Sequence, residues 1–298
     1  IEKILKEIDK IIIDEEYKTL KTKVDENIFD NKIDLTFSIN EEKKFIVERI
    51  NIYGNNITQE NVIRNQLLID EGDEFNSILA SKSINNIQSL NIFKSVDSKI
   101  IDNESDSKII DITIEEKATG EIMAGAGFGT DGSSLSFAVK ENNYLGRGIK
   151  LISELTVSEE TIKGQFNVTN PNFRNSDKSI DMNIQSLETD KLTDSGYKTN
   201  KTGFGFGTNF EYQDDVFIGL GQDSYYEKIE TNSSASARQK SQAGNYWDTF
   251  LNLNLNYDKR NQKFRTSDGF ISSYSVNLPV VSENNSLTNA YVFTLYNE

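Results

Sequence analysis

TIKGQFNVTNPNF, residues 161–173, is the stretch of sequence that decides the fold. Its apolar residues Ile162, Phe166 and Val168 alternate with polar neighbours such as Lys163. Because successive side chains of an extended strand point to opposite faces, one face is apolar and the other polar. A polar turn containing proline closes the run. Strands of about ten residues with this alternation, separated by polar turns, are typical of a transmembrane β-barrel.

The same two-residue period recurs through the second half of the chain. It is present at Leu135/Phe137/Val139, Ile149/Leu151, Ile180/Met182/Ile184, Phe204/Phe206/Phe210/Tyr212, Leu251/Leu253/Leu255/Tyr257 and Tyr291/Phe293/Leu295. The sequence therefore predicts an antiparallel transmembrane β-barrel, of which about ten strands lie in residues 118–298. Two sets of residues are predicted to face lipid and lumen respectively: Leu135, Phe137, Phe166, Val168, Phe204, Phe206 and Leu253 face lipid, and Lys163, Gln165, Asn254 and Asn256 face the lumen.

Composition excludes several classes of protein. The 298 residues are 36% hydrophobic, enough for a core, yet they contain no apolar run of the roughly 18 residues that a membrane-spanning helix needs. The net charge of −15 argues against nucleic acid or anionic lipid as a partner, since both need a basic surface. The absence of Cys and His removes disulfides, thiolate metal sites and the commonest general base. Neither enzymatic activity nor a metal or other cofactor is expected.

The first half of the chain reads as one partial and one complete α+β unit. Apolar residues at helical spacing from Ile1 to about Tyr17 precede two short strands, predicted near residues 20–24 and 33–39. The complete unit has the order β-α-α-β-β. Its predicted parts are a strand over Phe45–Tyr53, a helix from an N-cap at Thr58 through Leu67 or Leu68, a second helix capped by Asn76 or Ser77, and strands over Ser95–Ile101 and Lys108–Ile114 joined by a tip at Asn103–Asp106.

The β-α-α-β-β unit resembles a polypeptide-transport-associated (POTRA) domain. The motifs that carry this resemblance are FIVERINIYGN at residues 45–55, the Glu71-Gly72 turn and SLNIFKSVD at residues 89–97. KATG at residues 117–120 then leads into a glycine-rich strand predicted over Met123–Thr130. The motifs further along are NNYLGRG at 142–148, TNPNF at 169–173, YDKR at 257–260 and TSDG at 266–269. They resemble periplasmic turns of the BamA family of outer-membrane assembly factors, and the motifs together span nearly the whole chain.

The resemblance implies a domain organisation, a location and a function. Residues 1–43 would be the C-terminal part of one POTRA domain, 44–117 the complete last POTRA domain, and 118–298 the N-terminal part of the barrel. The POTRA domains would lie in the periplasm of a Gram-negative cell and the barrel in its outer membrane. The implied function is assembly and insertion of β-barrel proteins. The implied partners are unfolded outer-membrane proteins, periplasmic lipoproteins and outer-membrane lipid.

Other functions stay open from the sequence. A sister of the same superfamily, such as an autotransporter assembly factor or a two-partner secretion exporter, would share the fold and differ in its clients. A porin or a soluble β-rich surface protein would have no reason to carry a POTRA unit. The chain shows no signal sequence at Ile1 and stops just after a strand pattern at Glu298, so it is expected to be an internal segment of a longer protein.

The glycine-rich strand is the first candidate site. Period-two glycines share one face of a strand, where they weaken the ladder and permit bending or close backbone approach. The spacing G-x-G-x-G does not match a dinucleotide-binding loop, which needs G-x-G-x-x-G between a strand and a helix. In the family that the chain resembles, this strand forms a lateral seam that opens and receives client strands by β-augmentation. The gate residues so implied are Met123, Gly125, Gly127, Phe128 and Gly129, with ordinary barrel glycines as the alternative.

Further candidates lie in the POTRA unit and in the turns. The acidic turn of the last POTRA domain docks a lipoprotein in the family, which implies a role for Glu71 and Gly72; a solvated turn is the alternative. The strand at Ser95 and Val96 is either an open edge for an extended partner or a plain edge strand. The turn residues predicted on the periplasmic side are Tyr144, Gly146, Gly148, Asn170, Pro171, Phe173, Asp258, Arg260 and Gly269, together with Phe264 and Phe270. The long connections Leu187–Lys201 and Ile229–Tyr246 are predicted on the outer side.

Overall fold

A computed structural model describes residues 11, 20–29, 32–41, 44–103, 106–129, 132–260, 266–282 and 286–297. The chain divides into two compact units, with the boundary between Ala118 and Thr119. The helix predicted over residues 1–17 lies outside the described residues except at Ile11. None of the described helices is long and apolar enough to cross a membrane.

The first described strands of the first unit form a two-stranded antiparallel sheet. Strands β1 (Leu20–Phe29) and β2 (Lys32–Glu41) pair from Leu20 opposite Glu41 to Phe29 opposite Lys32. Both predicted strands are present, and each is longer than the alternation of apolar residues indicated. The extra residues are mainly polar, so they carry no alternation that the sequence pattern could reveal.

The rest of the first unit has the predicted order β-α-α-β-β. Its elements are β3 (Ile46–Tyr53), α1 (Glu60–Arg64), α2 (Ser77–Ser89), β4 (Phe93–Asn103) and β5 (Ser107–Glu116). The sheet order is β3-β5-β4, with β3 parallel and β4 antiparallel to β5. Two residues of the predicted hairpin tip, Glu104 and Ser105, lie outside the described residues.

The two helices close one face of this small sheet over a hydrophobic core. Its most buried large side chains are each at most 2% exposed: Val47, Ile50, Ile63, Ile87, Ile92 and Ile112. Burying a side chain of this size contributes about 1.5–3 kcal/mol. The strands and both helices contribute to the cluster, so neither could keep its apolar face out of water without the other.

The second helix begins as predicted. Asn76 is its N-cap, and the side-chain oxygen accepts the amides of Ile78 at 2.8 Å and Leu79 at 3.1 Å. These amides lie in the first helical turn, where no earlier carbonyl is available to them. The cap thus satisfies two donors at the point where the chain enters the core.

The first helix is shorter than predicted, and Thr58 does not cap it. The N-cap falls one residue later and makes no side-chain hydrogen bond, and α1 ends at Arg64 rather than at Leu67 or Leu68. The amide of Thr58 donates instead to Glu116 Oε1 at 2.6 Å. The amide of Leu68 donates to a serine hydroxyl of α2 at 2.8 Å. Glu116 therefore binds Thr58, and a serine of the second helix takes the Leu68 amide that a longer first helix would have used.

The second unit is a ten-stranded antiparallel sheet in which each strand pairs with its neighbours along the chain. The strands are β6 (Gly120–Gly129), β7 (Gly132–Tyr144), β8 (Ile149–Ser158), β9 (Thr161–Asn170), β10 (Ser179–Lys191), β11 (Tyr197–Gln213), β12 (Val216–Thr231), β13 (Gly244–Asp258), β14 (Asp268–Val281) and β15 (Thr288–Asn297). A short helix α3 (Ala237–Ser241) lies between β12 and β13. The predicted number of strands is confirmed.

The first of the two segments predicted as long connections, 187–201, is mainly strand, and the second, 229–246, is shortened by strand at both ends. Only residues 192–196 separate β10 from β11, and only residues 232–243 separate β12 from β13. At the end of β10 and the start of β11, Lys198 pairs with Glu188 at 2.8 Å and with Asp190 at 3.1 Å. Cross-strand pairs of opposite charge stabilise a ladder without any apolar residue. The sequence prediction misplaced the strand ends here because it depended on apolar alternation.

The register separates apolar and polar residues onto opposite faces of the large sheet. Met182 lies opposite Val168 and Phe206, whereas Gln165 lies opposite Glu154. Followed from strand to strand, all residues predicted to face lipid share the first face, and all those predicted to face the lumen share the second. The two-residue period of the sequence therefore predicted correctly which residues share a face.

The apolar face of the large sheet stays exposed. Leu135 is 65% exposed and Phe206 is 50% exposed. In the part of this unit that the structure describes, Ala235 is the single buried apolar residue. Exposed apolar surface of this extent marks a face that meets another apolar phase or partner.

Candidate functional site

The glycine-rich strand β6 forms one edge of the large sheet. It pairs with β7 from Gly120 opposite Glu141 to Gly129 opposite Gly132, and its other side has no partner among the described strands. The register divides the predicted gate residues between the two faces: Met123, Gly125, Gly127 and Gly129 on the polar face, Phe128 on the apolar face. Thr130, the last residue of the predicted strand, lies outside the described residues.

Small residues bring β6 close to β7. A Cβ atom on Gly125 would lie 2.8 Å from Ser136 Oγ, and one on Gly127 would lie 3.1 Å from Ser134 Oγ. A larger residue at either position would have to displace these hydroxyl groups. With so little side chain available, main-chain hydrogen bonds supply most of the attraction between the two strands.

The uncovered side of β6 presents main-chain donors and acceptors. An edge strand has a row of N–H and C=O groups that point away from the sheet and can pair with another extended chain. Phe128 is 89% exposed and Ile122 is 75% exposed, so apolar surface accompanies this row. Glu121 is the one ionisable side chain of the strand. The chemistry that β6 offers is therefore hydrogen bonding and apolar contact.

The base of β6 is fastened to the end of β7 by side chains. Glu141 Oε1 accepts the hydroxyl of Thr119 at 2.5 Å and the amide of Asn143 at 2.7 Å. The carbonyl of Thr119 accepts the backbone and side-chain nitrogens of Asn142 at 3.3 Å and 3.4 Å. These groups lie directly before Gly120, where the strand begins. No motif in the sequence indicates this cluster, because it depends on which residues the register brings together.

The turn after β7 contains the predicted residues Tyr144, Gly146 and Gly148. Gly148 donates its amide to Asn143 Oδ1 at 2.7 Å, and Gly146 donates to the carbonyl of Asn143 at 2.9 Å. The φ angles of Gly146 and Gly148 are 69° and 65°, which glycine adopts without a steric penalty. Asn143 is 7% exposed, so one buried amide side chain organises this turn.

The turn after β9 contains Asn170, Pro171 and Phe173. The side chain of Asn170 accepts the amide of Asn172 at 3.2 Å, and the amide of Phe173 donates to the carbonyl of Lys178 at 2.9 Å. These bonds hold a short 3-10 turn that begins at Phe173. The aromatic ring of Phe173 is left partly exposed, as expected of an aromatic residue where a sheet leaves an apolar phase.

Asp258, Arg260 and Gly269 lie at the end of β13, in the connection that follows it and at the start of β14. Arg260 donates from Nε and Nη2 to the two carboxylate oxygens of Asp258, at 2.8 Å and 2.6 Å. This bidentate hydrogen bond raises the pKa of Arg260. Gly269 has a φ angle of 104°, and a Cβ atom there would collide with the backbone of Lys259. Phe264 lies outside the described residues.

These three turns lie at the same end of the sheet, because consecutive strands are antiparallel. Tyr144 and Phe270 lie at that end as well, at the last residue of β7 and near the first of β14. The connections 192–196 and 232–243 lie at the opposite end. The topology thus brings the described turn residues together on one side.

In the first unit, Glu71 and Gly72 belong to a segment that covers one edge of the small sheet. Glu71 Oε1 accepts the amide of Ile50 at 3.0 Å and lies 3.6 Å from Arg64 Nη2. Gly72, with a φ angle of 100°, donates its amide to the carbonyl of Val47 at 2.7 Å. The segment therefore runs beside β3 and occupies its outer edge. The Glu71 side chain remains 45% exposed.

Strand β4, with Ser95 and Val96, is the other edge of the small sheet. The side chain of Val96 is buried, and its carbonyl accepts Gln88 Nε2 of α2 at 3.2 Å. Further along, Ser98 and Ile100 border an apolar pocket between the strand and the helices. An extended segment could pair with this outer part of β4 and place an apolar side chain in the pocket. Gln88 was not identified from the sequence, since nothing local indicates its contact with β4.

Two family models match the chain. The Omp85 superfamily domain matches residues 143–296. The POTRA model, described as a surface antigen variable number repeat, matches residues 45–117. The two matches fall on the ten-stranded sheet and on the β-α-α-β-β unit respectively.

Curated relatives have similar sequences. The outer membrane protein assembly factor BamA of Neorickettsia risticii (strain Illinois) is 25% identical over 217 residues, which are 72% of this chain and 29% of that protein. BamA of Buchnera aphidicola subsp. Acyrthosiphon pisum is 35% identical over 158 residues, which are 51% of this chain and 25% of that protein. The chain therefore spans between 25% and 29% of the length of these relatives.

Solved structures share the fold. BamA from Haemophilus ducreyi lacking POTRA domains 1–3 gives a TM-score of 0.67 at 19% identity, covering 97% of this chain and 59% of that one. CdiB from Escherichia coli gives a TM-score of 0.50 at 12% identity, covering 90% of this chain and 51% of that one. The fold class predicted from the sequence, α+β POTRA followed by part of an antiparallel β-barrel, is confirmed.

Proposed function

This chain belongs to the Omp85 superfamily, and from that premise we propose that the protein assembles β-barrel proteins and inserts them into the outer membrane. One observation carries the proposal: β6, an edge strand of small residues, has no partner on its outer side among the described strands. It stands in a sheet whose apolar face is also uncovered. A strand edge beside lipid is a place where a further strand gains main-chain hydrogen bonds that lipid does not offer.

The large sheet spans the outer membrane with its apolar face toward lipid. Each backbone group left unpaired in lipid costs several kcal/mol, so β6 and β15 need further strands to close the barrel. The end that carries the turns after β7, β9 and β13 faces the periplasm, because β6 begins there and the POTRA unit precedes it. The connections 192–196 and 232–243 then face the cell exterior, and the longest connection of the sheet, 232–243, lies on the side where long loops are expected.

Client strands join the sheet at β6 by β-augmentation. The seam between β6 and the closing strand opens readily, because β6 offers little side-chain packing to hold it. The client main chain then pairs with the free edge, and Gly125 and Gly127 let the incoming backbone approach closely. Met123, Phe128 and Gly129 complete this gate. Hydrogen bonds are exchanged and no covalent bond changes, so the step needs neither ATP nor a cofactor.

The POTRA unit supplies docking sites in the periplasm. Glu71 and Gly72 are the candidates for a periplasmic lipoprotein, and the exposed part of the Glu71 side chain is the surface such a partner would meet. The edge of β4, from Ser95 and Val96 outward, is the candidate for an extended client segment. In this organisation residues 44–117 are the last POTRA domain, residues 1–43 the end of the preceding one, and residues 118–298 the start of the barrel.

Reconstitution with a cross-linker tests the proposal. The full-length protein, in vesicles, carries a photo-reactive residue in place of Phe128 or, as the matched control, of Phe206 on the same face of an interior strand. Folding of an unfolded outer-membrane protein should be faster than in empty vesicles, and the client should cross-link at position 128 and not at position 206. Unaccelerated folding, or equal cross-linking at both positions, would overturn the proposal.

A further inference from the structure

Strand β6 has little in its own side chains to fix its register on β7. Six of its ten residues are glycine or alanine. Register is normally specified by side chains on the two faces, and glycine-rich strands are prone to slip. Within residues 120–129 the structure shows no side-chain hydrogen bond to β7. A slip of two residues would keep every side chain of β6 on its present face, so the apolar and polar faces alone do not prevent it.

The cluster at the base of the strand opposes such a slip. Glu141 lies opposite Gly120. Its Oε1 atom accepts hydrogen bonds from the Thr119 hydroxyl at 2.5 Å and from the Asn143 amide at 2.7 Å. A Cβ atom on Gly120 would lie 3.2 Å from Glu141 Oε2, so glycine gives the carboxylate room beside the strand. Sliding β6 by two residues would move Thr119 by roughly 6.8 Å and break these hydrogen bonds.

The cluster is itself held by the turn that follows β7. The register of β7 with β8 shifts between Glu141 and Tyr144, which takes Asn142 and Asn143 out of the regular ladder. Asn142 can then reach the Thr119 carbonyl, and Asn143 holds the next turn through the amide of Gly148 at 2.7 Å. Thr119 is therefore bound to a fixed turn, whereas the rest of β6 is bound mainly by its backbone.

We propose that Glu141, acting through Thr119, is the register lock of β6. The consequence of this lock rests on the proposed function. The register of β6 determines the positions of the N–H and C=O groups along its outer edge, and these positions determine the register in which a client strand is added. Glu141 does not touch the client. It is a positioning residue, and the carboxylate acts by holding the start of the templating strand in place.

A second carboxylate of the same sheet provides the matched control. Glu154 Oε2 accepts Gln165 Nε2 at 2.5 Å between β8 and β9, which is also a short cross-strand hydrogen bond. Those strands carry large side chains on the apolar face, such as Leu155 and Phe166, that fix their register independently. Removing the Glu154 carboxylate should therefore leave the register of its strands unchanged.

Cysteine pairs in the full-length protein report the register directly. Gly127→Cys with Ser134→Cys places two thiols opposite each other in the present register, and Gly127→Cys with Ser136→Cys does so after a two-residue slip. Adding Glu141→Ala or Thr119→Val should lower the ratio of the first disulfide to the second by about tenfold, since a charge-assisted hydrogen bond is lost. Adding Glu154→Ala should leave the ratio unchanged. Heat-modifiable migration shows which variants fold. If Glu141→Ala does not fold, Thr119→Val is used to test the proposal.

The outcomes separate the lock from the proposed function. An unchanged ratio in folded Glu141→Ala and Thr119→Val protein would overturn the lock. Insertion of outer-membrane proteins is measured on the same Glu141→Ala and Thr119→Val proteins without cysteines. A slipped register with slowed insertion supports both the lock and the templating role of β6. A slipped register with normal insertion supports the lock and contradicts that templating role.

Discussion

The three-stranded and the ten-stranded sheets of this chain follow the same alternation of apolar and polar residues but differ in what covers the apolar face. In the three-stranded sheet Ile112 is 1% exposed beneath two helices, whereas in the ten-stranded sheet Phe206 is 50% exposed. A two-residue period therefore tells which residues share a face and leaves open what covers that face. In water the covering must come from the protein, and in our proposal the larger sheet receives it from lipid.

The largest expected difference between the two sheets concerns loss of an apolar side chain. Ile112→Ala should lower the free energy of unfolding of the POTRA unit by about 2–5 kcal/mol, because it leaves a cavity in a closed core. Ile184→Ala, on the apolar face of β10, should cost far less, because lipid chains can fill the space. Hydrogen exchange of the full-length protein in vesicles, measured in rising urea at β5 and β10, gives both values. Equal losses of unfolding free energy for Ile112→Ala and Ile184→Ala would contradict the proposal that protein covers the smaller sheet and lipid covers the larger one.

Charge placed on the two faces of the large sheet should have the next largest effect. Phe166→Arg should destabilise the folded protein by about 2–4 kcal/mol, because it places a cation in lipid. Gln165→Arg, one residue earlier and on the polar face, should be tolerated. Both variants are compared by urea titration of the full-length protein in vesicles. If the two positions tolerate Arg equally, the larger sheet does not face lipid.

The smallest expected effect is a dependence on pH that belongs to the POTRA unit. Burial opposes ionisation of Glu116, but hydrogen bonds from Thr58, Ile57 and Asn56 outweigh it and hold the pKa of Glu116 below its ordinary value of 4.5. A lowered folded-state pKa means that the ionised group stabilises the unit above pH 4.5 and that this contribution is lost as the pH falls through the folded-state pKa. Glu116→Gln should therefore cost on the order of 1 kcal/mol at neutral pH.

The difference between wild type and Glu116→Gln should shrink as the pH is lowered toward 3, a value chosen below the unperturbed range for Glu. Urea unfolding, followed by hydrogen exchange at the amides of β5, measures this difference in unfolding free energy. Glu115→Gln is the matched control, because Glu115 is exposed and makes a surface ion pair with Lys94 that is worth little. A cost for Glu116→Gln that stays constant with pH would show that hydrogen bonding to the ionised form is not the cause.

Local patterns made much of the fold predictable. The strands with apolar alternation, the two faces of the large sheet and the cap at Asn76 each depend on residues close together in the sequence. The glycine-rich strand was also identifiable, because its composition is local. What a local pattern supplies is the type of element and the direction of its side chains.

The features that the sequence did not predict depend on distant partners. The amide of Thr58 binds Glu116, which no spacing rule around Thr58 could indicate. The ends of β10 and β11 are held by charge pairs of Lys198, which carry no apolar signal. The cluster at Glu141 exists only because the register sets it beside Thr119. Each of these contacts can be recognised only when the pairing of the strands is known.

A disulfide across the seam tests the central claim most directly. In the full-length protein without other cysteines, Gly127→Cys and a cysteine opposite it in the closing strand form a covalent tie if the two strands are adjacent. Cells in which this tie is oxidised should stop inserting outer-membrane proteins, and reduction should restore insertion, with the protein folded throughout. Normal insertion with the seam quantitatively locked would contradict the account and leave Gly125, Gly127 and Gly129 as ordinary glycines of a barrel strand.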